Sequence, residues 1–224
     1  IMISHKIFKS KLNTKPFNYI HIEKLFDDKT VAKLIKKFPE DKYFKKKEDI
    51  TKYETKRKFL VLHDLYEDYW FKSKFWEKFI KQNLYYDYKN ALLEKFSSFS
   101  RKPFPEELNF LNIRIELSID EIGYKLDAHT DEPSRLITSL IYLNEKKTVQ
   151  KKIGFNILKN KKNLSNYTGK HLDEKNFRKV NSIPFGRGNM LAFLRSNNSY
   201  HSVSKNNIYE RKSIQIAIYY KNKS

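Results

Sequence analysis

Two histidines and an aspartate in this chain have the types and spacing of metal ligands. They fall in two short segments, YKLDAHTD from Tyr124 to Asp131 and YHSVS from Tyr200 to Ser204, and the residues are His129, Asp131 and His201. In an extended chain the side chains of residues i and i+2 leave on the same side, so His129 and Asp131 can hold one ion from one strand edge. His201 must then arrive from a strand distant in sequence. Two imidazoles and one carboxylate on one face of an ion suit Fe(II) and leave three positions open. Arg211, ten residues after His201, heads a strongly alternating segment. Its planar fork of donors fits a carboxylate bidentately, which a lysine cannot do. The chain's 46 basic residues are mostly lysine, so an arginine at this place stands out.

The elements that must position these residues follow from periodicity. From Asn109 onward hydrophobicity alternates with period two, and strands are expected at 110–119, 123–129, 135–143, 153–158, 178–183, 189–195, 200–204 and 212–220. Eight strands with short turns predict a closed or sandwich-like β structure. Parity puts Arg211, Ser213, Gln215 and Ala217 on one face of the last strand and Ile214, Ile216 and Ile218 on the other. It likewise puts Thr138, Leu140 and Tyr142 opposite Ile137, Ser139 and Ile141. A polar pocket inside and an apolar outer face for helices to cover follow from this pattern.

Upstream, residues 1–22 read as an edge strand or cover segment around Phe17, Tyr19 and Ile20. Asp27-Asp28 reads as an N-cap before a helix from Lys29 to Phe38, with Pro39 as its stop. Residues 42–52 read as a charged loop and 57–63 as a strand. Residues 66–99 read as helical, with an aromatic stripe beginning at Tyr69 and Trp70 and a break near Gln82-Asn83. The polar segment 159–177 is too long for an ordinary hairpin connection and reads as a loop or lid. Its lysines (Lys159, Lys161, Lys162, Lys170, Lys175) would meet an anionic substrate.

With 224 residues, the chain reads as one compact domain in which 1–108 is a helical and strand support region and 109–224 is the core. Cysteine is absent, which excludes disulfides, zinc-thiolate sites and thiol catalysis and fits a reducing cytoplasm. No stretch has the length or apolarity of a membrane span or a signal peptide, so no membrane partner is expected. The net charge is +20. Abundant Lys, Asn, Ile, Phe and Tyr beside scarce Gly, Pro and Ala is the signature of AT-rich codon usage; a surface selected for polyanions is the alternative source of the charge.

Further segments extend the pattern around the three ligands. Arg135-Leu-Ile-Thr138-Ser-Leu-Ile-Tyr142-Leu-Asn144 follows the first motif, and Pro184-Phe-Gly-Arg-Gly188-Asn189-Met-Leu-Ala-Phe193 leads to the second. As an ordered set over residues 109 to 221, the chain resembles the 2-oxoglutarate- and Fe(II)-dependent dioxygenases, in particular the prolyl 4-hydroxylase-like branch. The resemblance implies a mainly β fold with α elements: a double-stranded β-helix (jelly-roll, cupin-like) core braced by amino-terminal helices. It implies His129, Asp131 and His201 as iron ligands, and Arg211 with Tyr142 on the distal carboxylate of 2-oxoglutarate. Ser213 and Thr138 are weaker candidates on the same walls.

The cofactors implied are Fe(II), 2-oxoglutarate and O2, with ascorbate an optional stimulant. Asp131 favours hydroxylation, since halogenating relatives lack this carboxylate. The implied reaction hydroxylates an unactivated C–H bond of a protein residue such as prolyl, or of a small molecule, giving succinate and CO2. The alternatives are the same chemistry on nucleic acid and a non-catalytic jelly-roll binding module. Asn112, Arg114 and Glu116 share a face of the first core strand, and Arg135 and Arg195 lie near the expected mouth. These five are substrate-contact candidates, with solvated ion pairs as the alternative for the first three. His5, His21, His63 and His171 lack partner spacing and read as bystanders. Two departures from the family stand out: a usual Gly-Gly pair is reduced to Gly154, and the early tyrosine facing 2-oxoglutarate has only Ile119 or Tyr124 near its place.

Overall fold

Alternating hydrophobicity in the second half of the chain forms strands close to where the pattern puts them. The computed structural model describes residues 2–46, 56–65, 67–97, 111–144, 153–161 and 171–220. The core strands are β6 (Leu111–Asp120), β7 (Leu126–His129), β8 (Arg135–Tyr142), β9 (Gly154–Asn160), β10 (Phe177–Pro184), β11 (Met190–Leu194), β12 (His201–Val203) and β13 (Arg211–Tyr220). Upstream lie α1 (Ile3–Lys9), β1 (Leu12–Asn13), β2 (Tyr19–Ile22), α2 (Asp28–Lys36), β3 (Lys45–Lys46), β4 (Arg57–Asp64), β5 (Tyr69–Trp70), α3 (Lys74–Asn83) and α4 (Tyr86–Ser97). Among the described residues, one sheet runs β1-β2-β11-β8-β13-β6-β4-β3 with β5 on β4, and a second runs β10-β9-β12-β7. The larger sheet therefore takes strands from both the support region and the core.

Parity decides which layer each face joins. Ile214, Ile216 and Ile218 of β13, with Ile137 and Ile141 of β8, join Trp76, Ile80, Leu92 and Phe96 of α3 and α4 in one buried cluster on the helix-covered face. The opposite faces of β8, β9 and β11 contribute Tyr142, Phe155, Ile157, Leu191 and Phe193 to a second cluster between the sheets. Inside the first cluster the Tyr88 and Ser139 hydroxyls hydrogen-bond at 2.5 Å, which satisfies the one polar group β8 turns toward the helices.

Helix boundaries follow their capping residues. The Asp27 carboxylate accepts from the Thr30 backbone N–H at 2.7 Å and starts α2. The expected break near Gln82-Asn83 separates α3 from α4.

Two expectations need correction. Residues 1–22 are not simply an edge or cover segment, because Ile3–Lys9 is a helix with Ile7 fully buried. Lys95 of α4 donates to the Phe8 and Ser10 carbonyls at its end (2.8 and 2.7 Å), a tertiary cap that local sequence does not reveal. β2 lies between β1 and β11 rather than at the edge. Second, Tyr69 and Trp70 are strand, not helix: they pair with Asp64 and His63, and the Trp70 ring stacks on His63 at 3.8 Å. Aromatic spacing alone does not separate a helical stripe from a strand that lays its rings on a neighbour. In the segment read as a lid, Lys159 and Asn160 continue β9 and 174–176 form a 3-10 turn, while 162–170 lie outside the described residues.

Candidate metal centre and co-substrate pocket

The register of the smaller sheet brings the two distant histidines together. His201 of β12 is the direct partner of His129 of β7, and their rings lie 4.2 Å apart. Asp131, two residues beyond the end of β7, turns Oδ1 toward both: 3.7 Å from His201 Nε2 and 4.0 Å from His129 Nε2. Ligand atoms of all three lie within 4.8 Å of one another, and all three residues are buried.

The tautomers are set by the backbone. His129 Nδ1 lies 2.8 Å from the Asp127 carbonyl and His201 Nδ1 lies 2.9 Å from the Ser199 carbonyl, so each donates there and leaves the Nε2 lone pair free. Burial holds both imidazoles below their ordinary range, with His201 adding to the effect at His129, so they are neutral at pH 7. Burial alone would raise the Asp131 carboxyl; the Arg135 guanidinium, with the Thr138 hydroxyl, outweighs burial and holds it low and ionised. Two neutral nitrogens and one carboxylate converging from one side are the donor set that suits Fe(II). Phe155 and Phe193 flank the His201 ring, each at 4.8 Å, and keep that side dry.

Arg211 and Tyr142 are the second part of the site. Arg211 is 2% exposed and donates through Nε to Asp120 Oδ2 at 2.8 Å, with Nη2 on the same oxygen. Its Nη1 and the Tyr142 hydroxyl are buried without a hydrogen-bond partner among the described residues. Buried donors left unmade cost free energy, so both are places where an acceptor fits. Ser213 is directed instead to Ser118 (2.9 Å between hydroxyls), and the Thr138 hydroxyl donates to Asp131 Oδ2. Thr138 thus touches the metal ligand directly.

The substrate-contact candidates divide. Arg114, Glu116, Arg135 and Thr138 line one cleft of about 260 Å3 with Glu132 and Tyr219. Arg135 reaches Asp131 at 3.6 Å and donates to the Tyr219 hydroxyl at 2.8 Å. Arg195 donates to the Asp131 carbonyl at 3.2 Å and so lies at the metal end. Asn112 is outside this group, donating to Asp64 at 3.1 Å.

Three residues with roles at the site escaped sequence reasoning. Asp120 binds both Arg211 and Arg57, and the His171 ring stacks on His129 at 4.9 Å, although it read as a bystander. Arg57 was visible as a rare arginine at a strand start. Nothing local marked Asp120 or His171.

Across 99% of this chain and 100% of the other, the structure matches a prolyl-4-hydroxylase from Pseudomonas putida with a TM-score of 0.55 at 10% sequence identity. A 2OG-Fe(II) oxygenase family protein from Burkholderia pseudomallei matches over 90% of this chain and 84% of its own, with a TM-score of 0.54 at 11% identity. The fold is that of the 2OG-Fe(II) oxygenases. A Trichoplax adhaerens prolyl hydroxylase, solved with a hypoxia inducible factor peptide fragment, shares this oxygenase fold over 99% of this chain and 89% of its own, with a TM-score of 0.52 at 14% identity. No protein-family model and no curated protein matches the sequence. The likeness is therefore one of fold, at 10 to 14% sequence identity. No described helix is long and apolar enough to cross a membrane.

Proposed function

We propose that this protein is an Fe(II)- and 2-oxoglutarate-dependent hydroxylase built on a double-stranded β-helix core, acting on a C–H bond of a small polar molecule or a single protein side chain. The observation that carries the reading is the pairing of two unmet features: a converging N2O donor set, and the unpartnered Arg211 Nη1 and Tyr142 hydroxyl. His129, Asp131 and His201 would hold the metal, and Arg211 with Tyr142 would receive a carboxylate. Iron with 2-oxoglutarate and O2 supplies the oxidation, yielding succinate and CO2.

The chain's own residues orient, exclude water and set charge. The backbone carbonyls of Asp127 and Ser199 fix both imidazoles, and Thr138 occupies one oxygen of Asp131 so that the other faces the histidines. Phe155 and Phe193 exclude water beside His201. Arg135, which lines the cleft and reaches Asp131, would meet a substrate entering there, and Arg195 holds the Asp131 carbonyl. At about 260 Å3 the cleft is at or below the low end of small-molecule sites, which favours a compact polar group over a large ring system.

The test is a metal titration followed by turnover of 2-oxoglutarate. Wild type is expected to bind one Fe(II) per chain and to release succinate, and His129→Ala or His201→Ala to lose both. Metal binding by wild type with no 2-oxoglutarate binding would leave a metal-binding protein and remove the hydroxylase.

A further inference from the structure

The Arg211 guanidinium is the second partner of a carboxylate that already has one. Asp120, 2% exposed at the end of β6, receives Arg211 on Oδ2 and Arg57 on both oxygens, with Arg57 Nη2 at 3.0 Å from Oδ2. The register requires this grouping: Asp120 pairs directly with Arg211 of β13 on one side and with Arg57 of β4 on the other. Both guanidiniums lie over the Tyr124 ring, at 4.4 Å for Arg57 and 5.7 Å for Arg211, and Arg211 also lies over Phe185 at 3.8 Å. Beside them stand the unpartnered Arg211 Nη1 and Tyr142 hydroxyl.

Charge counting shows what Arg57 does. Arg211 and Asp120 alone sum to zero, and a carboxylate brought to Arg211 would then compete with Asp120 for one fork in a dry site. With Arg57 the cluster carries one net positive charge, and an arriving carboxylate neutralises it. Burying an uncompensated charge is far costlier than burying a balanced set.

We propose that Arg57, from the amino-terminal support region, is a positioning residue of the co-substrate pocket: it neutralises Asp120 so that Arg211 keeps a free donor and an unspent charge for the distal carboxylate of 2-oxoglutarate. The proposal rests on the reading above that Arg211 receives that carboxylate. It makes the pocket a joint product of both parts of the chain, and Tyr124 its floor.

The experiment measures 2-oxoglutarate binding calorimetrically to metal-loaded protein without oxygen, together with the KM and kcat for succinate release. Arg57→Gln is expected to weaken binding and raise KM by about tenfold or more, a factor equivalent to about 1.4 kcal/mol, with kcat at saturation little changed. Arg57→Gln combined with Asp120→Asn restores the single net charge and should recover most of that loss. Arg57→Lys, which keeps the charge, should stay close to wild type and decides the matter if Arg57→Gln does not fold.

A folded Arg57→Gln protein with wild-type affinity would overturn the proposal. So would a double variant as weak as, or weaker than, the single one, since a merely structural Arg57 gains nothing from loss of a second partner. Failure of wild type itself to bind 2-oxoglutarate would instead remove the hydroxylase reading on which the proposal stands.

Discussion

The Thr138 hydroxyl donates to Oδ2 of Asp131, so that Oδ1 is the oxygen left to face His201 and His129. Thr138 is buried in the middle of β8, whose neighbours β11 and β13 hold it rigidly. Partners of this kind typically control metal affinity by about 10- to 100-fold. Thr138→Val keeps the volume and removes the hydroxyl. We expect Fe(II) affinity to fall within that range while the KM for 2-oxoglutarate, measured at saturating metal, stays near wild type. A shift confined to the 2-oxoglutarate KM would return Thr138 to the co-substrate wall.

Arg211→Lys retains a positive charge but loses the planar fork whose Nε and Nη2 hold Asp120 while Nη1 stays free for a second carboxylate. The KM for 2-oxoglutarate is expected to rise about tenfold or more, with metal binding intact. Tyr142→Phe removes one neutral hydroxyl and should act in the same direction by about 0.5 to 1.5 kcal/mol. Steady-state kinetics against 2-oxoglutarate concentration checks both. Equal effects on iron affinity would place these residues in the metal centre instead.

Asp120 predicts a pH signature of stability. Burial pushes its carboxyl up, but Arg211 and Arg57 outweigh burial and hold it below the ordinary range. A carboxyl with a depressed folded pKa contributes stability that is fully present above its unfolded value, near ~3.9, and is lost as pH falls through the folded value. Asp120→Asn leaves the buried Arg211 guanidinium and the part-buried Arg57 guanidinium without their counter-charge, and should cost about 3 to 5 kcal/mol at neutral pH. The deficit should narrow below about pH 4. Urea midpoints across this range test it, and a constant gap between the two proteins would show that ionisation of Asp120 is not the source.

Gly154 opens β9 opposite Pro184 of β10. A Cβ there would come within 2.3 Å of the Ile183 carbonyl oxygen and 2.9 Å of the Ser182 hydroxyl. Backbone on one side cannot yield as a flexible side chain can, so Gly154→Ala should destabilise by about 1 to 3 kcal/mol. The loss should appear in thermal unfolding without a change in metal stoichiometry. An unaltered Tm would mean that the two strands separate freely at that end.

What the sequence determined by itself was set by local spacing. Alternation with period two placed the strands from β6 to β13 to within a few residues, because successive side chains of a strand leave on opposite faces and the two faces meet different surroundings. The separation of two residues put His129 and Asp131 on one side, and parity alone predicted that Ile214, Ile216 and Ile218 would turn away from Arg211 toward the helices, as they do. Tertiary structure decided everything that depended on which strands become neighbours. Register, not spacing, set His201 opposite His129 and placed Asp120 between Arg57 and Arg211, residues 63 and 91 positions from it in sequence. Helix α1 forms where its end is capped by a lysine of α4, and Trp70 becomes strand where it can stack on His63. Thr138 and Tyr142 share a face of β8, yet one meets Asp131 and the other stands by Arg211. Pairing energies between distant segments have no local signature, and the charge balance of the pocket is such a pairing.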